Sequence, residues 1–378
     1  MKISFIQLCQ FFLCLSVVCI FLSCDDKPTG LEPEPVPEPE PEQEVSGVFI
    51  LNQGVAYTDD ASISFLDLLT EETNNFVLDI TNGFLGDTGQ DMIIYGSKLY
   101  VTLTGSNYIK VYNVLTRKSI ETIHLKREGS DPSAPRSLAA YGGKIYATTL
   151  DGYVVKVDTA SYAVAWTTVG PNPEGIAAVT VNGKGKLYVA NSDGYNWDNN
   201  YANGKSVSVV DIETFMEHPA DRIQVGLNPA ILRADASGNV YVICNGNYAD
   251  VMPSFVKINT QTNQAEIIEA ITPYNFTIDG NLCYFYNSPF TGDPSLLGVG
   301  IYDLEKQEVI ADNFISDETI LKTPYGIGID PNTKNIYIGD SPEYTLPGKT
   351  YIFSSEGKCL KTMQVGVNPC CFAFYNYH

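Results

Sequence analysis

Apolar and polar positions alternate in short runs along most of the chain, and each run ends in a turn signal. Between Gly143 and Val179 the runs Ile145–Thr149, Tyr153–Asp158 and Ala163–Val169 are followed by a fourth, Gly175–Val179. Asp151-Gly152, Asp158–Ser161 and Gly170–Pro173 separate them. Asp-Gly between two β-rich runs predicts a tight hairpin. Asp158 is placed to accept a bond from a backbone N–H two residues on. No segment shows a 3.6-residue apolar period, which argues against helical repeats. One such four-stranded unit cannot bury both of its faces, so it needs neighbours of the same kind.

The sequence supplies them. An aliphatic–Tyr pair recurs at Leu99-Tyr100, Ile145-Tyr146, Leu187-Tyr188, Val240-Tyr241 and Ile336-Tyr337, with Cys283-Tyr284 and Val48-Phe49 as variants. Successive copies lie 51, 46, 42, 53, 43 and 53 residues apart. In phase with them run turns opened by Asp67, Asn113, Asp158, Asp211, Asn259, Asp303 and Ser354, the last two in degenerate form. Val-Gly-x-Asn-Pro closes three units, at Val169–Pro173, Val225–Pro229 and Val365–Pro369. Four strands per repeat at this spacing predict an all-β, seven-bladed β-propeller over residues 47–378. The first run, Gly47–Asn52, matches a second strand, and the last, Cys370–Tyr375, matches a first strand. The closing blade is therefore expected to join tail to head, which leaves no free sheet edge.

Tyr188–Asn191 (Tyr-Val-Ala-Asn), Tyr100–Thr102 (Tyr-Val-Thr) and the Val-Gly-x-Asn-Pro turns resemble the YVTN-type, YncE-like propeller repeats, over about residues 46–378. The resemblance speaks for fold and weakly for function, since one fold hosts many roles.

Residues 1–23 open with Lys2 and continue into the apolar run Phe11–Leu22, which is short for a membrane span and fits a secretory signal. Phe21-Leu22-Ser23-Cys24 looks like a lipobox, with Cys24 as the lipidated residue. Residues 24–46 then form an acidic Pro/Glu linker, whose composition favours a stiff extended spacer. Acids just after Cys24 resemble the surface-export signal of Bacteroidetes lipoproteins, so the expected location is the outer membrane, lipid-anchored and facing the cell exterior. Of the formal charge of −21, the linker's eight acids and one Lys account for −7, and removing Lys2 with the signal leaves about −15 on the propeller. Such a body argues against nucleic acid, which demands clustered Lys and Arg. Five of the nine cysteines lie in the propeller: Cys244, Cys283, Cys359, Cys370 and Cys371. Buried free thiols are the main expectation for them, with a staple from Cys359 to the adjacent pair as the alternative.

Candidate chemistry gathers at one end of the ring. Links between the second and third strands are long at Asn52–Asp60, Asn191–Lys205, Asn245–Ser254, Asn287–Gly298 and Asp340–Lys349, and short at Thr104–Asn107 and Asp151-Gly152. The long ones bring Tyr57, Tyr195, Trp197, Tyr201, Tyr248, Phe290 and Tyr344 toward that end. The residue after each inter-blade turn (Gln90, Arg136, Glu174, Ala230, Tyr274, Tyr325, Cys370) is expected to ring the channel mouth. Ligand binding is assigned to the aromatic set with Arg136, Glu174, Tyr274 and Tyr325, because rigid aromatics and adaptable amides suit a binding face.

An enzyme is the weaker reading. His124, His218 and His378 are the three histidines, and none is placed for a Ser/His/Asp array at the mouth. Asp193–Asp198 offers oxygens for calcium without the alternating ligand register of a calcium loop. No metal or cofactor is assigned. The tethered architecture resembles the BtuG-type surface lipoproteins of gut Bacteroidetes. That resemblance implies capture of cobalamin or a related corrinoid, as ligand and not cofactor, and delivery to a TonB-dependent outer-membrane transporter. The competing readings are a surface glycan-binding lipoprotein and a propeller hydrolase or lactonase.

Overall fold

The computed structural model describes residues 45–70, 73–74, 84–288 and 298–377. They form seven antiparallel sheets, the blades of a β-propeller, with 3-10 turns at Trp197–Asn199 and Pro219–Asp221. Blade 3 is built from Pro135–Tyr141, Lys144–Thr149, Tyr153–Asp158 and Val164–Thr168; the last three follow the expected runs to within a residue or two, while the fourth expected run, Gly175–Val179, opens blade 4 within Pro173–Val181. The proposed signal, Cys24 and the linker up to residue 44 lie outside the described residues, as do Phe290 and His378.

Blade 1 closes the ring as its unmatched ends imply. Its innermost strand is Pro369–Tyr377, paired with Val45–Asn52, which pairs with Ser62–Asp67 and that in turn with Thr73–Asn74. The first strand begins at Val45, ahead of the expected boundary at residue 47, because Val45 and Ser46 find partners in Tyr377 and Asn376. In blade 7 the third strand starts at Pro347, so the link after Asp340 is shorter than alternation suggested.

The core is divided among the blade interfaces. Phe49, Leu51 and Phe65 of blade 1 pack on Met92, Leu99 and Leu103 of blade 2, and Val48 and Ile50 pack on Tyr337, Ile352 and Met363 of blade 7. The repeat tyrosines Tyr100, Tyr146, Tyr188, Tyr241 and Tyr337 are fully buried. Removing a ring of that size from water stabilises by roughly 2–3 kcal/mol. Stability therefore accumulates around the ring and resides in no single sheet.

The turn signals act as their chemistry requires. Asp67, Asn113, Asp158, Asp211, Asn259 and Asp303 each accept backbone N–H bonds from two or three residues on, and the Ser354 hydroxyl accepts from Glu356. In the Val-Gly-x-Asn-Pro turns, Asn172, Asn228 and Asn368 adopt φ of 43°, 58° and 56°, a left-handed region that Asn enters more readily than most residues. A Cβ on Gly170 would come within 2.2 Å of Asn191 Cγ, so this turn docks its glycine onto the end of a second strand. Asn191 in turn donates to Ser206 and Ser208, as Asn52 does to Ser62 and Ser64 in blade 1.

All five propeller cysteines are free thiols. The staple from Cys359 does not form, because Cys359 opens the outermost strand of blade 7 while Cys370 and Cys371 lie on the innermost strand of blade 1.

Candidate functional site

A β-bulge opens six of the seven innermost strands. The register slips between Gly89 and Asp91, Pro135 and Leu138, Pro173 and Ile176, Pro229 and Leu232, Pro324 and Gly326, and Pro369 and Cys371. Blade 6 pairs from Asn275 without a slip. A bulge adds one residue to a strand edge and re-aims the side chains beside it. Gln90, Arg136, Glu174, Ala230, Tyr325 and Cys370, at these bulges, and Tyr274, just ahead of the blade 6 strand, line a single cavity of about 510 Å³.

The preceding blade holds several of these positions by their carbonyls. Thr102 Oγ1 donates to the Arg136 carbonyl at 2.7 Å and Thr148 Oγ1 to the Glu174 carbonyl at 2.6 Å. Tyr286 Oη donates to the Tyr325 carbonyl at 2.5 Å. Each donor stands two residues beyond its blade's repeat tyrosine, so the same strand that builds the core also fixes the mouth.

Arg136 bridges two neighbours: Nε donates to Glu174 Oε2 at 2.7 Å and Nη1 to Gln90 Oε1 at 2.6 Å. Burial works against the Arg136 charge, and the Glu174 carboxylate more than restores it, so the guanidinium is held even more firmly protonated than usual. Deeper on the same wall, Asp91 accepts from the N–H groups of Leu138 and Met92, both at 2.8 Å, and from the Cys371 thiol at 3.4 Å. Burial pushes its carboxyl up, and those N–H groups with the Arg233 charge only partly offset this. The thiols of Cys370 and Cys371 are raised by burial and by Asp91, which leaves them poor nucleophiles.

Tyr195, Tyr201 and Tyr248 complete the wall on the side of blades 4 and 5. The Tyr201 and Tyr248 rings meet edge to face at 6.2 Å, and Tyr344 sets its edge on Tyr325 at 6.0 Å, one layer outside the cavity. The Tyr325 hydroxyl donates to Gln53 Oε1. Of the expected ligand-binding residues, Arg136, Glu174, Tyr195, Tyr201, Tyr248, Tyr274 and Tyr325 share this cavity, and Tyr57, Trp197 and Tyr344 do not line it. Tyr57, 95% exposed, is fixed by its N–H to the Asp87 carboxylate of blade 2. Trp197, 61% exposed, sits on a 3-10 turn beside Asp193. The Asp193 carboxylate accepts from the Asn196 amide and the Asn203 N–H, both at 2.9 Å, so its oxygens order the loop.

One feature recurs in four of the long links. Tyr57, Tyr201, Tyr248 and Tyr344 adopt φ of 69°, 54°, 57° and 56°. A bulky residue in the left-handed region costs about 1–3 kcal/mol and persists only where its surroundings impose it. The repetition in blades 1, 4, 5 and 7 marks a common way of projecting a ring from a link.

Spacing alone did not single out Gln53, Asp91, Ser192, Asn228, Arg233 and Asn245, which also line the cavity. Aligning the seven innermost strands beyond the turn residue would have drawn attention to Asp91 and Arg233, the ionisable groups where the other blades carry small or uncharged ones.

No family model matches the sequence, and no curated protein matches it. Solved structures do. A quinonprotein alcohol dehydrogenase-like protein from Bacteroides thetaiotaomicron superposes with a TM-score of 0.59 at 15% identity, covering 88% of this chain and 79% of that one. Hydrazine synthase of Kuenenia stuttgartiensis gives 0.58 at 15% identity, over 75% of this chain and 88% of that one. The dihydro-heme d1 dehydrogenase NirN, solved in complex with DHE, gives 0.53 at 8% identity, over 86% and 68%. At these identities the likeness is one of fold.

Proposed function

We propose that this propeller is a ligand-capture protein that takes cobalamin or a related corrinoid at the mouth of its axial cavity. In this reading it is a surface lipoprotein anchored through Cys24, held off the outer membrane by the acidic linker, and it hands its cargo to a TonB-dependent transporter. The observation that carries the reading is the cavity of about 510 Å³, fed by all seven blades and walled by Tyr195, Tyr201, Tyr248, Tyr274 and Tyr325. A corrinoid is a broad disc, partly apolar and fringed with amides. Tyrosine faces supply contact area at low entropic cost, and Gln53, Gln90, Asn228 and Asn245 supply amide partners. The bridged Arg136–Glu174 pair presents a donor and an acceptor side by side without a net charge. Capture and release need no reacting group, consistent with thiols that burial keeps protonated.

The test is a titration of the purified chain with cobalamins, with polysaccharides as the rival ligand, followed by Trp fluorescence and calorimetry. Trp197 stands on the loop side and Trp166 in the outer strand Val164–Thr168, so Trp197→Phe is expected to remove most of a genuine quench. Absence of heat and of fluorescence change at micromolar cobalamin would reject the corrinoid, and saturable binding of a polysaccharide would put a glycan in its place.

A further inference from the structure

The seven innermost strands act as internal controls for one another, since each brings one residue to the cavity mouth and continues from there as the first strand of its blade. Three residues beyond the mouth positions Gln90, Arg136, Glu174, Tyr274, Tyr325 and Cys370, six of them carry uncharged residues, from Gly328 and Ala373 up to Ile93. The seventh carries Arg233, on the strand Pro229–Ala234. Arg233 lines the axial cavity. Its Nε donates to the Phe276 carbonyl at 2.7 Å, and its guanidinium lies 5.8 Å from the centroid of the Phe276 ring. That uses one of five N–H donors. Among the described residues no carboxylate comes within 4.0 Å of it.

The other charges on the wall are already committed. Arg136 is matched by Glu174. Asp91 is satisfied by two backbone N–H groups and a thiol, and burial favours its neutral form. The cavity is therefore left with one guanidinium that acts on Asp91 only from beyond ion-pair distance and whose Nη groups meet no carboxylate among the described residues, in a chain whose formal charge is −21.

We propose that the axial cavity beneath the tyrosine rim is an oxyanion-receiving site, in which Arg233 binds a carboxylate or phosphate group carried by the ligand. The planar guanidinium fork matches either oxyanion through two parallel N–H···O bonds, which point-charge cations cannot reproduce. With Nε already fixed on Phe276, little side-chain freedom remains to be lost on binding. Distant acids repel an anion in bulk water, where screening confines that repulsion to about 8–10 Å, whereas the contact inside the cavity is less screened. The ligand class that follows has a flat apolar body for the rim and one anionic arm for the channel. This site rests on the cavity itself and stands whether or not a corrinoid is the cargo.

Three probes that share one body test it with the full chain: 1-pyrenebutanol, its phosphate monoester and 1-pyrenebutyrate, each followed by pyrene fluorescence at low salt. At least one charged probe is expected to bind about tenfold tighter than the alcohol, and the tighter of the two names the oxyanion. Arg233→Gln should bring the charged probes to the affinity of the alcohol and leave the alcohol unchanged, with Arg233→Lys in between. Equal binding of all three probes by the wild type overturns the proposal. So does an Arg233→Gln protein that melts like the wild type and keeps the charge preference. Should Arg233→Gln fail to fold, Arg233→Lys and the wild-type comparison decide in the same terms.

Discussion

Blades 2 and 3 share the plan of blades 4 and 5 and contrast with them most in the link between the second and third strands. All four bury the repeat tyrosine, cap the next turn with Asp or Asn and open the innermost strand with a bulge. In blades 2 and 3 that link is a few residues long, and the wall beside it is charged and amide-rich: Gln90, Asp91, Arg136. In blades 4 and 5 it brings Tyr195, Tyr201 and Tyr248 to the same cavity. One half of the mouth is thus mainly polar, and the other adds to Glu174, Asn228 and Arg233 an aromatic flap whose Tyr201 and Tyr248 sit on strained backbone. Recognition can be varied on the flap without touching the frame, because the flap contributes nothing to the interface clusters.

Breaking the frame should erase both halves at once. Removing Pro369–His378 takes away the innermost strand of blade 1 and its partners from Val45 to Asn52. The expected result is loss of the cooperative melt by circular dichroism, the largest effect considered. A truncated chain with the wild-type melting temperature would show that the join is dispensable.

The flap comes next. Tyr201→Ala with Tyr248→Ala is expected to weaken a bound ligand about ten- to a hundredfold, that is ~1.4–2.8 kcal/mol, with little change in melting temperature. Thr104–Asn107, the equivalent link in blade 2, can be replaced by another tight turn at no cost in affinity. If both changes weaken binding alike, the two halves are not distinct.

On the polar side, pH is the sharper tool. Burial raises the Asp91 carboxyl, so the fold binds that proton more tightly than the open chain does. Its contribution to stability is therefore greatest at low pH and falls as pH rises from the ordinary carboxylate range through the raised value. Asp91→Asn should remove that slope and raise the melting temperature at neutral pH by a few degrees, read from melts over a pH series. Variant and wild-type curves that stay parallel above the carboxylate range would show that Asp91 is not the source.

The smallest effect tests the strain. Tyr248→Gly relieves a left-handed φ of 57° and is expected to leave stability unchanged or to increase it by about 1 kcal/mol, while it weakens the ligand. A marked loss of stability would mean that the ring, rather than the backbone, holds the loop.

The contrast between frame and flap also explains what the sequence disclosed. The blades were legible because each repeat tyrosine and each Asx turn obeys a local rule, stated seven times over. Mouth residues such as Arg136 and Tyr325 were legible because a proline fixes where the turn ends. Asp91 and Arg233 were not, since a bulge shifts which side chains face the axis and strict alternation no longer tells in from out. Tyr57 fell outside the cavity because its direction is set by the Asp87 carboxylate, distant in sequence, and by a left-handed φ that residue type alone does not dictate, and Trp197 because it sits on a 3-10 turn in a loop that Asp193 orders.

The pairing of Val45–Asn52 with Pro369–Tyr377 has a consequence in time. During synthesis the strand Val45–Asn52 emerges long before its mate. Six blades can assemble while the first waits with an unpaired edge, so the nascent protein stays aggregation-prone until Pro369–Tyr377 has been made. A cell making this protein would therefore have reason to shield Val45–Asn52 until its partner strand arrives.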